Sequence, residues 1–140
     1  MNLTLFTDYA LRVLIYTANQ PDGKLVQVDE IARVYGISRN HLTKAVHRLG
    51  QMGYLETVRG RGGGMRLALP ARDIRVGDVV RAVEDDFAVV GCFANDSCVL
   101  LPGCRLKRAL GEAVDAFLET LNRYTLADIA ASAAPVFRSP

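Results

Sequence analysis

Between Val28 and Leu69 the hydrophobic pattern changes its period, and this change limits the chain to few folds. The stretch "VDEIARVYG" fits a short helix in which Asp29 and Glu30 favour the positive end of the helix dipole and Gly36 supplies a sharp turn. In the following "ISRNHLTKAVHRLGQMGYL", Ser38 stands at an N-cap position and Leu42, Ala45, Val46 and Leu49 form one apolar stripe at helical spacing. Two short helices joined by a tight glycine turn are a helix-turn-helix pattern. The next segment, "GYLETVRGRGGGMRLALP", alternates apolar and polar residues and breaks at a glycine-rich tip, which predicts a β-hairpin from about Tyr54 to Leu69. A helix-turn-helix followed by a basic hairpin is a winged helix.

The residues left outside the stripe of the second helix are Ser38, Arg39, Asn40, His41, Thr43, Lys44, His47 and Arg48. Nearly all are donors that reach phosphates and base edges, and they gather where a recognition helix enters the major groove. A polar solvent face would look similar. The hairpin decides between the two, because Arg59 and Arg61 sit among four glycines at its tip, long cations on a pliant backbone suited to a phosphate chain or a minor groove. A nucleotide-binding loop fits less well: "GRGGG" lacks the Lys-Ser/Thr ending and does not open a helix.

Charge agrees with this division. The net charge is only +2, yet residues 1–75 carry 11 Lys or Arg against 6 Asp or Glu, while residues 76–140 carry 6 against 9. The basic half is the candidate for a polyanionic partner. Residues 1–75 are thus expected to form a winged helix-turn-helix DNA-binding region, headed by an amphipathic helix from about Thr4 to Asn19 that places Phe6, Ala10, Val13, Leu14 and Thr17 on one face.

Residues 76–104 should hold a connecting helix from about Val76 to Val83 and a loop, and residues 105–140 a long helix and a C-terminal segment. In the long helix, Leu106, Leu110, Ala113, Phe117, Leu121 and Tyr124, widened by Val114 and Leu118, leave an apolar face suited to a dimer seam. "TLADIAASA" closes as a short helix, and "APVFRSP" is expected to be loose.

The loop "GCFANDSCVLLPGCRL" contains all three cysteines of the 140-residue chain: Cys92, Cys98 and Cys104. No apolar run approaches the roughly 20 residues that span a bilayer. The N-terminus lacks a basic region and a cleavage site, so a cytoplasmic location is expected. There, disulfides are disfavoured, and an odd count leaves one thiol over in any case. Zinc knuckles space thiols two to four residues apart, closer than the five-residue gaps here. Gly91, Asn95, Asp96, Ser97, Pro102 and Gly103 make the loop roomy, and iron-sulfur clusters accept varied spacings. Spacing alone ranks a cluster ahead of zinc, and zinc ahead of three free thiols. No nucleophile-base pair or pocket motif suggests an enzyme.

Taken together, "LTLFTDYALRVLIY", "YGISRNHLTKAVHRL", "GYLETVRGRGGGMRL", "IRVGDVVRAVE", the cysteines with "CRLKRAL", and "YTLADI" resemble the nitric-oxide-sensing branch of the NsrR/IscR superfamily of dimeric winged-helix regulators. The resemblance runs from about residue 2 to residue 130. It implies an iron-sulfur cluster on Cys92, Cys98 and Cys104, with 4Fe-4S favoured over 2Fe-2S. In IscR-like relatives a histidine three residues after the last cysteine completes a 2Fe-2S site; Lys107 stands there in this chain. The resemblance implies instead a carboxylate from the first helix of the other subunit, at the position of Asp8, although Asp8 could equally be a helix residue paired with Arg12. The implied function is a homodimeric repressor on palindromic operator DNA that responds to nitric oxide. The alternative is an iron- or redox-responsive 2Fe-2S regulator of the IscR type.

Overall fold

The computed structural model describes residues 2–95 and 97–137. Its elements are α1 (Leu5–Ala18), α2 (Val28–Tyr35), α3 (Arg39–Gln51), β1 (Leu55–Val58), β2 (Gly64–Leu67), α4 (Val76–Val83), α5 (Arg105–Leu121) and α6 (Leu126–Phe137). The mainly helical architecture with one small hairpin is that of a winged helix, as the change of period predicts. Asp96 in the cysteine loop and Arg138, Ser139 and Pro140 of the expected tail lie outside the described residues.

Helix α1 is the hub. Thr4 caps it through a bond from the Thr7 amide, and Ala10, Val13 and Leu14 are fully buried between α3 and α6. Gly36 ends α2 with φ 65°, a left-handed backbone that glycine adopts without a Cβ penalty. The stripe of α3 is buried as its spacing requires: Leu42, Ala45 and Leu49 completely, and Val46 nearly so. Each fully buried leucine contributes about 1.5 to 3 kcal/mol. In the antiparallel wing, Leu55 faces Leu67 and Val58 faces Gly64. Val26, before α2, pairs with Met65 of β2, an edge the sequence did not suggest.

Helix α4 packs its Val79, Val80 and Val83 inward and lies against α5 at Gly77. A Cβ at Gly77 would collide with the Leu118 carbonyl and the Asn122 side chain. Asn122 then clasps Asp78, accepting its amide at 2.9 Å and donating to its carboxylate at 2.9 Å.

Three expectations need correction. Helix α5 stops at Leu121, so Tyr124 falls beyond it; the turn is held because the Val76 amide donates to the Tyr124 carbonyl at 3.0 Å and Arg75 bridges Thr125. Residues Ala134–Phe137 are helical and not loose, since α6 runs through Pro135 to Phe137. The Phe137 ring lies edge-on to Tyr16 at 5.3 Å and Tyr35 at 5.8 Å, an anchor that only tertiary packing creates. Ser38 does occupy the N-cap of α3, but its hydroxyl makes no capping bond.

Candidate functional site

The DNA-facing candidates share one surface. Ser38, Arg39, Asn40, His41, Thr43 and Lys44 are all exposed along the N-terminal half of α3 because the opposite face of that helix is its buried stripe. Arg39 pairs with Asp29 of α2 at 3.1 Å, but both side chains are 69% exposed, so the pair is weak and a phosphate could displace Asp29. Thr43 bonds back to the Arg39 carbonyl at 2.9 Å. The His41 ring stacks on Tyr9 of α1, with centroids 6.0 Å apart and planes at 23°. Arg48 is placed differently: half-buried, it donates from Nη2 to the Ala82 carbonyl at 3.1 Å.

The wing tip carries Arg59 and Arg61 in solvent between the strands. On the strands themselves, Arg66 is engaged by Glu56 at 3.0 Å, which holds that carboxylate below its usual pKa. Gln27 donates to the Gly63 carbonyl and thereby ties the base of the tip to the start of α2.

Cys92, Cys98 and Cys104 are free thiols; Cys98 is exposed and the others half-buried. Cys92 lies in a single 3-10 turn, Gly91–Phe93. Cys104 is the N-cap of α5, and its Sγ accepts the Lys107 amide at 3.4 Å. Negative charge is favoured at such a helix start. Among the described residues, no three His, Cys, Asp or Glu side chains come together as a metal-binding group. The donor chemistry still suits an iron-sulfur cluster: three thiols on one loop, one of them at a helix N-terminus. Asp8 lies in the first turn of α1, and its carboxylate accepts from Arg12 Nε at 3.0 Å.

The sequence matches the model of the Rrf2 family, described as iron-dependent transcriptional regulators, over residues 3–132. It is 53% identical to the HTH-type transcriptional regulator NsrR of Bacillus subtilis over 131 residues, 92% of this chain and 90% of that protein. The chain belongs to the Rrf2 family. CymR, the global cysteine regulator of B. subtilis, superposes with a TM-score of 0.76 at 26% identity, covering 94% of this chain and 98% of its own. IscR of T. potens shares the fold, with a TM-score of 0.77 at 24% identity over 100% of this chain and 93% of its own. As an Rrf2 protein the chain is a DNA-binding transcriptional regulator and not an enzyme. Among the described residues no helix is long and apolar enough to cross a membrane.

Sequence reasoning missed one polar junction in this Rrf2 chain. Glu84, at the C-terminal end of α4, accepts from the Thr4 amide at 3.2 Å, the Thr4 hydroxyl at 3.2 Å and the Thr7 hydroxyl. Eighty residues separate Glu84 from Thr4, and no local pattern announces the contact.

Proposed function

We propose that this Rrf2 protein is a homodimeric repressor that carries an iron-sulfur cluster and leaves its operator when nitric oxide reaches that cluster. The 53% identity to NsrR over nine-tenths of both chains carries the reading. The α5 surface supports a dimer: of its 17 residues only Leu118 is buried, and Leu106 is 63% exposed. A helix with so much uncovered apolar face calls for a partner, and a second copy supplies the matching one.

Cys92, Cys98 and Cys104 would hold the cluster, 4Fe-4S in preference to 2Fe-2S because Lys107 stands where a histidine ligand would be needed. Asp8 of the partner subunit is the proposed fourth ligand. When bound, the cluster would supply iron that reacts with nitric oxide. In this chain, Cys104 caps the N-terminus of α5 and its Sγ accepts the Lys107 amide. Arg12 offers Asp8 an alternative partner whenever that carboxylate is released.

Ser38, Arg39, Asn40, His41, Thr43 and Lys44 would read one face of the major groove, and Arg59 and Arg61 would hold the flanking backbone or minor groove. Two such heads would engage a palindrome at about 34 Å separation. A loss of about 3 kcal/mol between the two states would weaken operator binding more than a hundredfold. The reading places the protein in the reducing cytoplasm, where the three thiols stay available.

The test is anaerobic purification with absorption spectroscopy, iron and sulfide analysis, and nitric oxide titration beside operator binding. Four irons per cluster and a spectrum lost together with DNA affinity are expected. A spectrum unmoved by nitric oxide would remove the sensor role. Two irons per cluster would favour the IscR-type reading.

A further inference from the structure

The C-terminal end of α4 touches three functional regions at once. Its terminal carbonyls lack partners within the helix, and Arg48 of α3 supplies one by donating to Ala82 at 3.1 Å. A cation there also complements the negative end of the helix dipole. Two residues further on, Glu84 lies against the N-terminus of α1, where it accepts the Thr4 amide and both threonine hydroxyls. That terminus favours an anion. The chain then leaves Glu84 directly into the loop that carries Cys92.

The other end of α3 is reached from the same place. Helix α1, whose Thr4 cap is held by Glu84, presents Tyr9 one turn from its start, and Tyr9 stacks on His41. Arg48 and His41 lie seven residues apart on α3, two helical turns. The recognition helix is therefore gripped near both ends by elements that meet at residues 82–84.

We propose that Arg48 and Glu84 are positioning residues that carry the state of the cysteine loop to the recognition helix, and that Arg48 serves in this way and not as a phosphate contact. The proposal rests on the sensor reading above. A shift of the loop pulls on Glu84, which moves the α1 terminus with Tyr9, and on the Ala82 carbonyl, which moves Arg48. Both displacements act on α3. Only a contact that differs between the two states can shift the equilibrium between them.

The test compares operator affinity of cluster-loaded and apo full-length protein for the wild type, Arg48→Met, Arg48→Lys and Glu84→Gln, each with its salt dependence. Arg48→Met and Glu84→Gln should lower the ratio of loaded to apo affinity by at least about fivefold, the lower end of ordinary coupling, while the loaded spectrum stays that of the wild type. Arg48→Lys, which keeps a cation and a donor, should recover part of the ratio. If Arg48→Met weakens both states equally and lowers the salt slope by about one unit, Arg48 is a phosphate contact and the proposal falls. Should Arg48→Met fail to fold, Glu84→Gln decides alone, and an unchanged ratio in that variant overturns the relay. A wild type whose affinity ignores the cluster overturns the sensor reading and the relay together; a state-dependent wild type with variants that keep its full ratio overturns the relay only.

Discussion

The Asp8 carboxylate accepts from Arg12 Nε at 3.0 Å across one turn of α1, with both side chains more than two-fifths exposed. Such a pair stabilises a helix by only about 0.3 to 0.5 kcal/mol. Asp8→Ala should therefore leave urea unfolding and operator binding of the apo protein almost unchanged. In the cluster-loaded protein it should speed cluster decay. A wild-type decay rate and spectrum would count against Asp8 as a ligand.

Phe137 docks between Tyr16 and Tyr35 while remaining half-buried. Phe137→Ala should cost about 1 to 2 kcal/mol, a fraction of the full burial of an aromatic ring together with its edge-to-face contacts. Chemical denaturation would measure it. No change would mean that the end of α6 contributes nothing to holding α1 and α2.

At Gly77 the obstacle is backbone. Because a Cβ would meet the Leu118 carbonyl and Asn122, Gly77→Ala should destabilise by about 1 to 3 kcal/mol, even though alanine is ordinarily the better helix former. A variant at least as stable as the wild type in thermal melts would show that α4 and α5 separate freely.

Burial, reinforced by the Tyr16 bond to the Glu30 carboxylate at 3.1 Å, raises the Tyr16 phenol pKa above its ordinary value. Burial also raises that of Tyr35, with Arg12 opposing it in part. The folded state thus favours neutral phenols. Their contribution is fully present below the ordinary tyrosine pKa of about 10 and is lost as pH rises through the raised folded values. Stability should fall in that alkaline range, and Tyr35→Phe, which also gives up the bond to the Arg12 carbonyl, should flatten the fall. Denaturant midpoints measured across the range would check both.

Arg59→Ala or Arg61→Ala should weaken operator binding and reduce the slope of log affinity against log salt by about one unit for each phosphate contact removed. Apo stability should not move, because both side chains are exposed at the wing tip. An unaltered slope would take the wing off the DNA.

The stripe of Leu42, Ala45, Val46 and Leu49, the Gly36 turn and the alternation around the wing were legible in the sequence because each is a local pattern with a period set by backbone geometry. The exposed set on α3 followed from that stripe. For Arg48 the same reasoning gave only a direction, since a helical wheel says nothing of the Ala82 carbonyl that its guanidinium meets on another helix.

By itself the sequence determined the order of elements, the inward faces of α1 and α3, the three thiols on one loop and the family to which the chain belongs. The tertiary structure alone decided where α5 stops, that Phe137 closes over Tyr16 and Tyr35, and that Glu84 holds the Thr4 cap of α1 from eighty residues away. Periodicity records which side of an element avoids water. The partner of a particular hydroxyl, ring or carboxylate depends on which unsatisfied groups the assembled helices bring within reach, a property of the whole packing that no stretch of the chain contains.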